Sequence, residues 1–230
     1  MVNQTPILLQ QIETKYHIAV VVLNQPLKWH GDDYWVTADP PSQEQIDLYA
    51  KRFSAEWNRY PADVGRKFRI KKIVFGIHLA VDGQIRGAVP AADGDAMYYD
   101  PELGYSSGNF QVSVIHHELF HLIEDRGSTL WKDPEWSALN LVNFRYGEGG
   151  AKMRDPGVGN LNIALPGFVT LYSTAGVEED KAELYAHAAV DPDFVRAKCA
   201  FDPVLARKFD LLRKRMRQMG LGNLLLRARR

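Results

Sequence analysis

The stretch Asn109-Phe-Gln-Val-Ser-Val-Ile-His-His-Glu-Leu-Phe-His-Leu-Ile-Glu-Asp125 decides the reading of the chain. Its apolar residues recur at helical spacing and Gly127 follows as a stop, so a helix is expected from Asn109 to Asp125. Inside it, His117-Glu118-Leu119-Phe120-His121 is an HExxH motif. Positions four apart share a helix face, so His117 and His121 present two imidazole nitrogens to one metal ion. Glu118 lies too far round the helix to be a natural third ligand and is suited to take a proton from an activated water. At about 100° per residue, Ile115, Leu119 and Leu122 fall opposite the two histidines and form a docking stripe. His116 is off the ligand face and reads as a packed or solvent-facing residue. Glu124 shares the stripe of His117 and His121, where it supports His121 or closes the helix end.

Zinc needs a third protein ligand with a fourth position left open. Cys199 is the only cysteine and has no companion, so the search moves to Tyr172-Ser-Thr-Ala-Gly-Val-Glu-Glu-Asp-Lys-Ala-Glu-Leu-Tyr-Ala186. A second helix is expected from about Val177 to Val190, stopped by Asp191-Pro192. Glu179 and Glu183 share a face of it; one is suited to bind metal and the other to fix a ligand histidine by a hydrogen bond. The plain alternative is that Glu178, Glu179, Asp180 and Glu183 are solvated acids at a helix N-terminus, where the macrodipole favours them. His187, four after Glu183, is on the side nearest the site and reads first as an ordinary helix residue.

Here the chain resembles a family. An HExxH motif followed some 58 residues later by a glutamate on a second helix is similar to the gluzincin zinc metallopeptidases, and most to the branch holding the anthrax lethal factor catalytic domain and a group of bacterial zinc peptidases. That branch carries Y-x(6)-E-x-x-A-E, matched by Tyr172, Glu179, Ala182 and Glu183. The resemblance implies one Zn2+ per chain on His117, His121 and Glu179. It places Glu183 behind the ligands, makes Tyr172 the hydroxyl that stabilises an oxyanion, and implies a zincin-like fold with peptide or protein substrates. The matched blocks span about one eighth of the chain. The pair Glu178-Glu179 stands where other gluzincins have Asn-Glu. The implied activity is that of an endopeptidase with Glu118 as general base. The competing expectation is a zinc-stabilised binding or scaffold domain without turnover.

The rest of the chain fits around these blocks. Residues 17–24 are apolar enough for a strand, and Ser42 with Gln45 forms a capping box for a helix that ends before Pro61. Residues 69–81 read as one strand, Asp82-Gly83 as a hairpin turn, and Gln84–Val89 as the return strand. Pro90 places that return strand at a sheet edge. A substrate is expected to lie extended along it, with Gly87 and Ala88 permitting close approach. Ala96–Tyr99 is a further short strand. Six glycines in 147–167 mark a long loop, and Trp131, Pro134, Trp136 and Phe144 a satellite apolar cluster.

Strands precede helices without βαβ alternation, which argues α+β; the resemblance implies, within that class, a mixed sheet with an antiparallel edge strand, an active-site helix and a second ligand-bearing helix. With 230 residues the expectation is a single domain over 1–230, residues 69–190 being the catalytic core and 1–60 a candidate N-terminal subdomain. Lys plus Arg and Asp plus Glu are both 28, which excludes a globally polyanion-seeking protein, so no nucleic-acid partner is expected. Residues 201–230 hold nine Lys or Arg against Asp202 and Asp210, so the tail is +7 and the remainder −7. Leu205, Phe209, Leu212 and Met216 make 203–219 an amphipathic helix with a solvated basic face, stopped by Gly220. Neither a signal peptide nor a membrane span is read. No phosphate-binding glycine motif and no Ser/His/Asp or Cys/His arrangement is present.

Overall fold

Gly76 divides what the hydropathy pattern offers as a single strand. In the computed structural model, which describes residues 3–103, 108–127, 131–150, 152–153 and 164–225 (backbone only at 108–111), the run 69–81 is two strands. They are β4 (Lys72–Phe75) and β5 (Ile77–Val81), counting β1 (Ala19–Val22), β2 (Leu27–His30) and β3 (Trp35–Asp39) before them. A β-carbon at Gly76 would stand 2.6 Å from Leu23 and 2.9 Å from Ala38, so only glycine lets the chain turn here. His78 then takes φ 53°, and β5 leaves for a different sheet.

The expected return strand divides in the same way. Asp82 and Gly83, with φ 50° and 77°, make the predicted tight turn. The strand after it, β6 (Gln84–Ile85), is only two residues long, and β7 (Ala88–Ala91) belongs to the other sheet. With β8 (Ala96–Tyr99), the first sheet has the order β1-β4-β8-β7. Its β1–β4 and β4–β8 pairs are parallel and its β7–β8 pair is antiparallel. This is the mixed sheet with an antiparallel edge, and Pro90 lies on that edge strand. The second sheet, β2-β3-β5-β6, is antiparallel throughout. The sequence pattern contained no expectation of it.

The chain forms two compact units, residues 1–122 and 123–230. In the first, the mixed sheet is a middle layer. Val74, Ala96 and Tyr98 face the second sheet and pack with Val36, Ala38 and Leu79. Phe75 and Tyr99 face the other way, onto Phe53 and Tyr49 of α2 (Gln43–Trp57). Central β4 and β8 are therefore apolar on both faces, which hides any alternation. Helix α2 has the Ser42–Gln45 capping box, both bonds present. Helix α1 (Ile7–Tyr16) was not expected; it covers α2, with Tyr16 bonded to the Trp57 and Tyr60 carbonyls. Residues 1–60 thus supply strands to both sheets. After the short α3 (Val64–Lys67), the first unit ends within α4 (Gly108–Arg126).

The second unit is helical among its described residues. Three of its helices start on an Asp-Pro pair: α5 (Pro134–Ser137), α7 (Pro192–Phe201) and α8 (Pro203–Gln218). In each the aspartate accepts backbone N–H bonds and proline takes the first helical position, where no donor is needed. Asp191-Pro192 therefore both ends α6 (Val177–Val190) and begins α7. Leu205, Phe209, Leu212 and Met216 of α8 are buried as expected. The solvated basic face needs correction. Lys208 is fully buried, donating to Asp180 at 2.7 Å and to the Gly167 carbonyl at 2.8 Å. Arg215 pairs with Asp133 and Glu135. Trp136 is buried on Asp180, whereas Trp131 is 69% exposed. Among the described residues no helix is long and apolar enough to cross a membrane. Of the expected 147–167 loop, residues 151 and 154–163 lie outside the described residues.

Candidate metal centre

Helix α4 docks through Ile115, Leu119 and Leu122, all buried, as the stripe requires. His117 and His121 therefore share one face. Their rings meet nearly at right angles, centroids 4.7 Å apart, and the two Nε2 atoms are 3.0 Å apart. Two neutral imidazoles that close either share a proton or point both lone pairs at a common cation. Two ligands on a tetrahedral ion with bonds of about 2.0–2.1 Å would stand about 3.3 Å apart, so the pair fits zinc closely. His117 is buried, while His121 and Glu118 are partly exposed.

His116, one residue before, is fully buried and doubly bound. Nδ1 meets the Tyr60 hydroxyl at 2.6 Å and Nε2 meets Glu56 at 3.0 Å. It locks α4 to α2 through a hydrogen-bonded chain. Beneath the same helix, burial pushes the Tyr99 phenol well up, and the charges of Tyr49 and Glu118 add to the rise.

In the second unit, Tyr172 opens a 3₁₀ turn, Tyr172–Thr174, and Glu179 sits in the first turn of α6, buried. The Tyr172 hydroxyl donates to Glu179 Oε1 at 2.9 Å. Glu178 folds back over Gly176, where a β-carbon would lie 2.1 Å from its carboxylate. Glu183 accepts from the Thr170 hydroxyl at 2.6 Å. His187 turns Nδ1 onto the Glu183 carbonyl at 2.9 Å, an ordinary helical contact. Glu124 is buried in an ion pair with Lys181. The expected solvated acids are thus buried: Glu178, Glu179 and Asp180 are each at most 7% exposed.

Asp180 takes Trp136, Tyr146 and Lys208 on a single oxygen. Burial raises its carboxyl and lowers the Lys208 ammonium, against their mutual attraction. Sequence reasoning took Asp180 for a solvated acid and Lys208 for part of a solvated basic face, and it did not single out Lys181 or Tyr146. A lysine inside the acid-rich turn was the one available signal.

Gly87 lies between β6 and β7, and Ala88 is buried, 3% exposed, so the expected single strand Gln84–Val89 divides into β6 and the start of β7. No protein-family model, curated protein or solved structure matches this chain.

Proposed function

We propose that the chain is a zinc-dependent peptidase in which His117, His121 and Glu179 hold one Zn2+. The observation that carries this reading is the pair of imidazoles on α4, whose Nε2 atoms stand 3.0 Å apart, close to the spacing of two ligands on one ion. Two neutral imidazoles and one carboxylate are a donor set that zinc favours, and they leave one position for substrate or water. Zinc, when bound, supplies a Lewis acid that acidifies water and polarises a carbonyl.

The other roles fall to the chain's own side chains. Glu118 follows the first ligand and is partly exposed. It accepts a proton from the attacking water and returns it to the leaving nitrogen. Tyr172 exchanges its bond to Glu179 for one to the oxyanion of the tetrahedral intermediate. The strand β7, whose outer edge pairs with no strand among the described residues, offers backbone groups to an extended peptide.

Glu118→Gln tests the reading. It keeps the size of the side chain and removes the base, so zinc content and folding are expected to stay while hydrolysis of a peptide library falls at least about a hundredfold. Unchanged hydrolysis would remove Glu118 from the mechanism. A zinc-loaded wild type without hydrolysis of any peptide would favour a binding or scaffold domain.

A further inference from the structure

The segment Gly147-Glu148-Gly149-Gly150 is tied to the turn that bears Tyr172. The Gly147 N–H donates to the Thr174 carbonyl at 3.0 Å and the Gly149 N–H to the Ala175 carbonyl at 2.8 Å. The strap so formed brings Gly150 onto the tyrosine–glutamate pair. A β-carbon at Gly150 would lie 1.9 Å from Glu179 Oε1, 2.1 Å from the Tyr172 hydroxyl and 2.7 Å from the Glu179 carboxyl carbon. Contacts under 3.0 Å are essentially never made by real β-carbons. The close atoms are side-chain ends that can swing aside, but in doing so they give up the hydrogen bond that joins them. Gly76 and Gly176 are crowded too, but by other residues, whereas a β-carbon at Gly83 meets nothing within 4 Å and one at Gly87 meets Val114 at an ordinary 3.6 Å.

We propose that Gly150 is a positioning residue of the candidate zinc site. Its missing side chain lets the strap backbone close on the Tyr172–Glu179 pair and fixes the orientation in which Glu179 serves as ligand. A methyl group at this position must displace the carboxylate, the hydroxyl or the strap, and each displacement moves a ligand or the group that orients it. The inference rests on the zinc reading above and adds to it a backbone element that sets ligand geometry.

The test compares wild type and Gly150→Ala by zinc competition against a chromophoric chelator and by the visible spectrum of each protein saturated with Co2+. The expected result is zinc binding weakened about tenfold to a hundredfold in the variant, as for groups that orient metal ligands. The cobalt bands are expected to shift, which a general loss of stability would not produce. Wild-type affinity together with a wild-type cobalt spectrum would overturn the inference and leave the zinc reading intact. A wild type that takes up no zinc would overturn both, and that result appears without any variant. If Gly150→Ala does not fold, the Gly150→Ala/Glu179→Asp double variant is expected to fold, because the shorter carboxylate withdraws from the added methyl. A double variant equally unfolded would count against the proposal.

Discussion

The Tyr172 hydroxyl donates to Glu179 Oε1 at 2.9 Å, joining the 3₁₀ turn to the first turn of α6 across seven positions. The bond ties the proposed oxyanion donor to the proposed ligand, so the two roles separate under substitution. Tyr172→Phe removes the donor and keeps the ring. It is expected to lower kcat by about 10²–10³ while leaving KM within a few-fold and zinc content unchanged. Steady-state kinetics beside elemental analysis decide it. Loss of zinc with full turnover per bound metal would reverse the assignment.

His116 and His117 are adjacent but serve opposite ends of the helix's work. His116 is fully buried between Tyr60 and Glu56. His116→Ala is therefore expected to destabilise the fold by about 1–3 kcal/mol for each buried partner that loses its hydrogen bond, with one zinc still bound per folded chain. Urea unfolding reads the first quantity and metal analysis the second. A variant of wild-type stability that lacks zinc would make His116 the ligand.

Asp133 gives the second unit an acid-sensitive element. Burial raises its carboxyl, but Arg215, the Trp136 N–H and Lys181 outweigh burial and hold it below the usual range. A carboxyl depressed in the folded state contributes stability that is present above its unfolded value, about 3.9, and is lost as pH falls through the lower folded value. The thermal midpoint of the wild type is thus expected to drop from about pH 4 downward. Asp133→Asn is expected to start lower at neutral pH and to decline less on acidification. Parallel curves for the two proteins would show that Asp133 does not carry the effect.

The elements whose sequences act locally were legible. The Ser42–Gln45 capping box, the Asp82-Gly83 turn and the apolar stripe of α4 each depend on residues within a few positions, and each formed as expected. Pro90 marked an edge strand correctly, but that strand pairs with β8 and not, as a hairpin return would, with the strand before it. What escaped depends on distant packing. The break at Gly76 is set by Leu23 and Ala38. The burial of Lys208 is set by Asp180, so a residue that looks solvated on a helical wheel is instead an interior cation. In the site, the motif spacing named the histidines, and the resemblance named Glu179. The closeness of Gly150 to Glu179 follows only from the path of the strap, and its one trace in the sequence is the pair Gly149-Gly150.

The most direct test of the account is elemental analysis of protein purified without added metal, with His117→Ala and Glu179→Ala beside the wild type. The account predicts about one zinc per wild-type chain, held by three protein ligands, and sharply weakened zinc in both variants. A wild type without zinc even after reconstitution, or variants that keep it fully, would contradict the proposed metal centre.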